Sequence, residues 1–239
     1  MKMELRKILK NPLYWLILSA SMAGRLVLTD LDALHRSGEY WSLAGCFWNK
    51  HGSLTMGLLI LLVLLHPLTM DRETGTQSVI AGTANGRTRL FQTRLLTGIF
   101  SALLSVLLLS LGNTVITYFL GSAIPVPPDW FRSFLRVTGI AALGSVGFFL
   151  FAACICDILQ NHAAAICICG AVFCVPYLLN AEAIHRFEVW WFLLYGTFAH
   201  LVRGRWIEDL PAFWICWYLI LLTVLFVFTL KRRKERKER

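Results

Sequence analysis

Residues 71–94, DRETGTQSVIAGTANGRTRLFQTR, form the only long polar and charged segment that lies between two strongly apolar runs. Four arginines fall within it, and its middle, residues 76–84, has small side chains that suit a helix. The flanking runs, 53–70 and 95–120, are each about as long as a bilayer crossing, which takes about 20 residues. The pattern predicts a short cytosolic helix that joins two membrane spans.

The composition of the whole chain indicates a polytopic membrane protein. Of its 239 residues, 57% are hydrophobic and 15% are charged, and the mean hydropathy is +0.62. Little sequence lies outside the apolar runs, whereas a folded soluble domain usually needs at least about 50 residues. We therefore expect an all-α fold in one membrane domain, residues 1–239, with six transmembrane helices. The apolar runs that predict these helices are 12–29, 53–70, 95–120, 134–156, 163–179 and 212–230.

The basic residues predict how these spans are oriented. Residues 1–11, 71–94 and 231–239 contain four, four and seven Lys or Arg residues. Because such segments stay in the cytosol, a six-span chain has both termini on the cytoplasmic side, including its basic tail at 231–239. All of the net charge of +9 then lies on that side. Membrane orientation accounts for the positive charge, and no nucleic-acid partner is expected.

The first eleven residues are predicted to form an amphipathic helix in the membrane interface. Leu5, Ile8 and Leu9 can share one helical face, while the basic side chains occupy the other. This helix would turn into the bilayer at Asn11-Pro12. A basic flank that simply fixes topology is an equally acceptable interpretation, and the two are compatible.

An outer segment, residues 180–211, is predicted before the last span. It contains an aromatic-rich apolar run at 187–202 that is interrupted by Gly196. Because this run is short for a full crossing and tryptophan and tyrosine favour the headgroup region, we expect a re-entrant or interfacial segment.

Individual residues within the predicted spans indicate where their side chains lie and how the spans pack. Arg25 lies near the outer end of the first span, where a long side chain can reach the membrane surface at little cost. His66 is expected at the other surface, just before Pro67, which should bend or end the second span. Three glycines of the fourth span predict a face for close helix packing or dimer formation: Gly139, Gly144 and Gly147.

The polar segment resembles the cytosolic coupling segment of ABC-2 type permeases, the membrane subunits of ATP-driven exporters. The N-terminal sequence MELRKILKNPLYW also resembles the elbow helix of that family. Arg94 stands where a lysine is commoner in the family, and Ala84-Asn85 replaces the more usual proline. The residues that carry the resemblance are Glu73, Gly75, Thr76, Gly86-Arg87 and Arg94.

The resemblance implies a bacterial cell-membrane permease that exports an apolar or amphipathic substrate, such as a peptide antibiotic, a drug or a lipid-like compound. Bacteriocin immunity and drug efflux are implied by analogy alone. The implied partners are ABC ATPase subunits, which bind ATP and Mg, membrane lipids, and a second permease copy or a homologous permease in a dimer. The coupling residues implied by the family pattern are Glu73, Gly75, Thr76, Arg87 and Arg94.

No enzymatic activity is expected of the chain itself, because it contains no phosphate-binding loop, HExxH or GxSxG motif. Cysteines two residues apart do not share a helical face, so no metal site and no cofactor is expected. Glu182 and His185 could share a face, with His200 further on, but a polar outer turn is the preferred interpretation. Two alternatives stay open: a loop at 71–94 that only fixes topology, and a non-transporting membrane sensor or scaffold whose basic tail docks a partner or anionic lipid.

Overall fold

The described part of the computed structural model is helical, without a strand. It covers residues 2–27, 47–48, 52–68, 86–120, 128, 130–159, 161–178, 220, 223–224 and 227. The helices are α1 (Lys2–Lys10), α2 (Pro12–Val27), α3 (Ser53–Leu59), α4 (Gly86–Leu120), α5 (Trp130–Leu159) and α6 (His162–Leu178). A π-helical segment, Ile60–Leu64, continues α3.

These helices confirm the predicted all-α class for the described residues. Two stretches, Leu90–Phe119 in α4 and Trp130–Leu159 in α5, are long and apolar enough to cross a membrane. Shorter apolar helices occupy Ser53–Leu68 and His162–Cys174. The predicted outer segment at 180–211 and the tail at 231–239 lie outside the described residues, as does nearly all of the sixth apolar run.

The corner between α1 and α2 is built from local hydrogen bonds. The Asn11 Oδ1 atom accepts a hydrogen bond from the backbone N–H of Leu13 at 3.0 Å, so Asn11 caps the start of α2. The indole N–H of Trp15 donates to the carbonyl of Leu9 at 2.7 Å and satisfies an end carbonyl of α1. Pro12 suits the first turn of α2, where its missing N–H costs nothing. A break between two helices therefore lies at Asn11-Pro12, where the sequence predicted one, and the turn into the bilayer stays a prediction.

The predicted faces of α1 are also present. Ile8 is buried, Leu5 and Leu9 are half-buried, and Arg6 and Lys10 are exposed. Glu4 is an exception among the charged residues of α1, because it is buried and lies on the same face as Ile8, one turn before it.

The helix formed by the second apolar run becomes π-helical before its proline. The N–H of Leu65 donates to the carbonyl of Ile60 at 3.0 Å, which is the five-residue spacing of a π-helix. Pro67 lacks an N–H and its ring crowds the carbonyl four residues earlier, that of Val63. The distortion expected at Pro67 thus lies one turn upstream of it, at Ile60–Leu64.

Helix directions follow from paired contacts. Tyr14 of α2 contacts Ser105 of α4. Eight residues further along α2, Met22 contacts Gly112, which lies seven residues further along α4. These two helices therefore run in the same direction, and α1 lies beside the start of α4. In contrast, α3 with its π-helical continuation runs opposite to α6, because Gly57 faces Phe173 and His66 faces His162.

Aromatic rings pack directly on glycine where α4 meets α5 and where α3 meets α6. A methyl group built on Gly98 would overlap the ring of Phe149, and one on Gly57 would overlap the ring of Phe173. Phe148 joins the two contacts, since its ring centroid lies 5.4 Å from that of Phe173. We call these five residues the glycine–phenylalanine seam. Gly139, by contrast, has nothing within 4 Å of a built Cβ atom, so no described helix of this chain packs closely on it, and the alternative of a dimer face stays a prediction.

Candidate functional site

Of the five predicted coupling residues, only two lie in the part of the chain that the structure describes. Glu73, Gly75 and Thr76 lie outside it. Arg87 lies in the first turn of α4, and only its backbone is described. Arg94 lies two turns further along α4, and its side chain is 8% exposed. The candidate site is therefore built from Arg94 and the side chains around it.

Arg94 faces the carboxylate of Glu4 on α1. The distance from Arg94 Nε to Glu4 Oε2 is 3.7 Å, which is an ion-pair contact but longer than a hydrogen bond. The other carboxylate oxygen, Oε1, accepts a hydrogen bond from the Lys7 ammonium at 2.9 Å. Glu4 and Arg94 are buried, whereas the Lys7 side chain is 51% exposed. One carboxylate thus holds a buried cation and an exposed cation.

The pair joins two helices that are far apart in sequence. The burial of two opposite charges is tolerated because each offsets the other's desolvation, and removal of one partner from such a pair typically costs 3–5 kcal/mol. Arg94 makes a further interaction besides the one with Glu4. The contact therefore fixes the N-terminal helix against the start of α4, where the polar 71–94 segment enters the apolar run.

Buried hydroxyl groups continue from Arg94 along the same face of α4. Thr97, Ser101 and Ser105 follow at helical spacings of three and four residues and are almost fully buried. The Ser105 hydroxyl donates to the carbonyl of Ser101 at 2.8 Å, so it accepts the hydrogen bond from the Tyr14 hydroxyl at 2.9 Å. We call this set the polar seam: Glu4, Tyr14, Arg94, Thr97, Ser101 and Ser105.

A second buried contact links α2 to α3, because Thr55 donates a hydrogen bond to the hydroxyl of Ser21 at 2.7 Å. One turn further along α2, Arg25 is 7% exposed. Its side chain is therefore buried inside the chain and does not extend to the surface as expected. Leu18, Ser21 and Arg25 follow one another at spacings of three and four residues, so they share the face that packs inward.

The sequence reasoning missed two of these features, Glu4 and the inward position of Arg25. A signal for Glu4 was present: it is the single acidic residue in a basic helix, and it lies four residues before the apolar Ile8. That spacing places the carboxylate on the packed face. No local signal indicates that its partner is Arg94, which is 90 residues away.

Histidines from two helices meet at the ends of the π-helical segment and α6. The ring centroids of His66 and His162 are 5.7 Å apart. His66 is partly exposed, its predicted position at the membrane surface stays a prediction, and its pairing with His162 was not foreseen. Within the described ranges, no group of three or more His, Cys, Asp or Glu side chains is arranged to hold a metal ion.

Neither a protein-family model nor a curated protein matches this sequence.

Proposed function

We propose that this chain is the permease subunit of an ABC-2 type transporter. It would cross the membrane six times with both termini in the cytoplasm. It would work as a dimer with itself or a similar permease, and ATPase subunits would bind its cytosolic face. The cargo would be an apolar or amphipathic compound. Residues 71–94 would receive the movement of the ATPase subunits and pass it to the spans.

The observation that supports this proposal best is the buried position of Arg94. A loop that only fixes topology needs positive charge near the membrane surface, and an exposed arginine would supply it. Here the arginine at the membrane end of the segment is buried and faces a carboxylate on another helix. A push on the segment would therefore reach the helix bundle through this contact as well as through the backbone of α4.

The proposal is tested by purification of the tagged chain in a mild detergent from its native host. We expect an ATPase subunit at stoichiometric level, whose ATP hydrolysis depends on the presence of the permease. The variant Arg94→Gln should retain the ATPase subunit but lose permease-dependent hydrolysis, whereas Lys10→Gln, which neutralises an exposed residue of α1, should match the wild type.

Two outcomes would contradict the proposal. Recovery of phospholipid or a signalling protein in place of an ATPase subunit would favour a membrane sensor or scaffold. Site-directed labelling that places residues 71–94 and the two termini on opposite sides of the membrane would exclude a coupling role for the segment.

A further inference from the structure

We propose that Glu4 is a positioning residue that makes α1 move together with Arg94, so that a displacement of α4 is passed to the first span, α2. This inference rests on the proposed function and adds a route to it. The route runs from the 71–94 segment to Arg94, across to Glu4, along α1 and through the corner at Asn11 into α2.

The first step of this route is the contact across the interface. The chain between α1 and α4 passes through α2, α3 and the polar segment, so only non-covalent contacts can make α1 follow α4 directly. Helix α1 packs against both α2 and α4. On the α4 side the contact includes two buried, oppositely charged groups, Glu4 and Arg94, and their separation would take from each its buried counter-charge, which is costly in an apolar setting.

The second step is the stiffness of the corner. Trp15 satisfies the last turn of α1 and Asn11 caps α2, while the N–H of Asn11 itself donates to the carbonyl of Ile8 at 3.1 Å. Hydrogen bonds therefore tie both helix ends to the corner. Rotation of α1 is then carried into α2 and is not absorbed by a flexible joint.

The two cations around Glu4 provide a matched pair of variants. Lys7 makes the shorter contact with the same carboxylate but is half exposed, and exposed ion pairs contribute little. Arg94 makes the longer contact in a buried site. If the pairing with Arg94 carries the movement, removal of the Lys7 charge should have little effect, although it breaks the hydrogen bond that Lys7 donates to the carboxylate.

The experiment uses the full chain with its ATPase subunit in lipid nanodiscs and measures permease-stimulated ATP hydrolysis per assembled complex. We expect Glu4→Gln to lower the stimulation about fivefold or more, the lower end of usual coupling between sites. Lys7→Gln should change it by less than about twofold. The charge-swapped pair Glu4→Arg with Arg94→Glu should recover a large part of the loss. Equal losses in Glu4→Gln and Lys7→Gln, or unchanged stimulation in Glu4→Gln, would overturn the proposal.

A second measurement needs no ATPase subunit. The unfolding midpoints of Glu4→Gln, Arg94→Gln and the double variant form a double-mutant cycle in detergent. We expect clear non-additivity, and additive effects would overturn the proposed link. Non-additivity in a chain that binds no ATPase would instead show that the contact exists while the transport function fails.

Discussion

The polar seam and the glycine–phenylalanine seam both involve α4 but hold it by different means. Inside a bilayer the hydrophobic effect does not bring helices together, which leaves close packing and polar contacts. At Gly98 the packing is steric, because the ring of Phe149 occupies the space of a side chain. At Ser105 the contact is one hydrogen bond to Tyr14.

Two hydroxyl groups on the α4 side of the polar seam, those of Thr97 and Ser105, can lose a contact with another helix at small cost. Thr97 donates to the carbonyl of Thr93, and Ser105 donates to that of Ser101, so each keeps a partner in its own helix. A ring seated on a glycine has no such substitute. The comparison indicates that the hydroxyl contact between α2 and α4 separates more easily than the ring contact between α4 and α5, while α1 stays linked to α4 through the buried pair of Glu4 and Arg94.

Among the ring, hydroxyl and exposed-cation contacts, the largest expected effect on stability is at Gly98. Gly98→Ala should lower the free energy of unfolding by about 1–3 kcal/mol, the usual cost of overpacking, because Phe149 is fully buried and has little room to move. Titration with SDS in mixed micelles measures this. Gly139→Ala is the matched control, since nothing lies within 4 Å of its Cβ position, and it should be neutral or slightly stabilising. A mild result at Gly98 would remove the distinction between the two seams.

A compensating change sharpens the same point. Phe149→Leu, with a smaller side chain, should recover part of the stability that Gly98→Ala loses, so that the two substitutions are strongly non-additive. The double variant is compared with both single variants in the same titration. Additive losses would mean that the ring and the glycine do not depend on each other.

A smaller effect is expected at the hydroxyl contact of the polar seam between Tyr14 and Ser105. Tyr14→Phe removes the hydrogen bond to Ser105 and should cost about 0.6 kcal/mol, the average for such bonds between membrane helices. The Ser105 hydroxyl keeps its bond to the Ser101 carbonyl, so no buried donor is left without a partner. Tyr118→Phe, at an exposed position on α4, controls for loss of a phenol hydroxyl. A loss as large as that of Gly98→Ala would show that the polar seam is equally rigid.

The smallest effect is expected at Lys7. Lys7→Gln breaks a contact between residues three apart on one helix, of which only the Lys7 side is exposed. Ion pairs at this spacing are worth about 0.2–0.5 kcal/mol. The effect should fade as salt is raised, because exposed pairs are screened. The Debye length at about 1 M salt is only about 3 Å. A loss of stability that persists there would mean that Lys7 contributes to the buried ion pair of Glu4 and Arg94.

The sequence predicted where helices occur better than which way they face. Apolar runs marked α2 to α6, amphipathic spacing marked α1, and Asn11-Pro12 marked the break between α1 and α2, because all three signals are local. Which side of a helix packs against its neighbours is harder to predict. A lipid tail and a neighbouring helix are equally apolar, so the same residue types suit both sides. For this reason Gly98 and Gly57, rather than Gly139, turned out to hold the close contacts.

The charged residues of the candidate site show the same limit. Arg94 was identified from its place in the polar segment, but its burial depends on Glu4, which lies 90 residues earlier. Arg25 was expected at the surface because of its depth in the span, whereas its spacing from Ser21 turned it inward. Hydropathy predicts how far along a span a charged residue lies, whereas its partner depends on how the helices pack together.

The π-helical segment decides what His66 can touch. A π turn contains one more residue than the α-helical path, and each residue of an α-helix advances the face by about 100°. Without that extra residue, the imidazole of His66 would point about a quarter turn away from His162. A proline that cannot donate a hydrogen bond thus aims a neighbouring histidine at another helix, and deletion of one residue within Ile60–Leu64 would part the two rings.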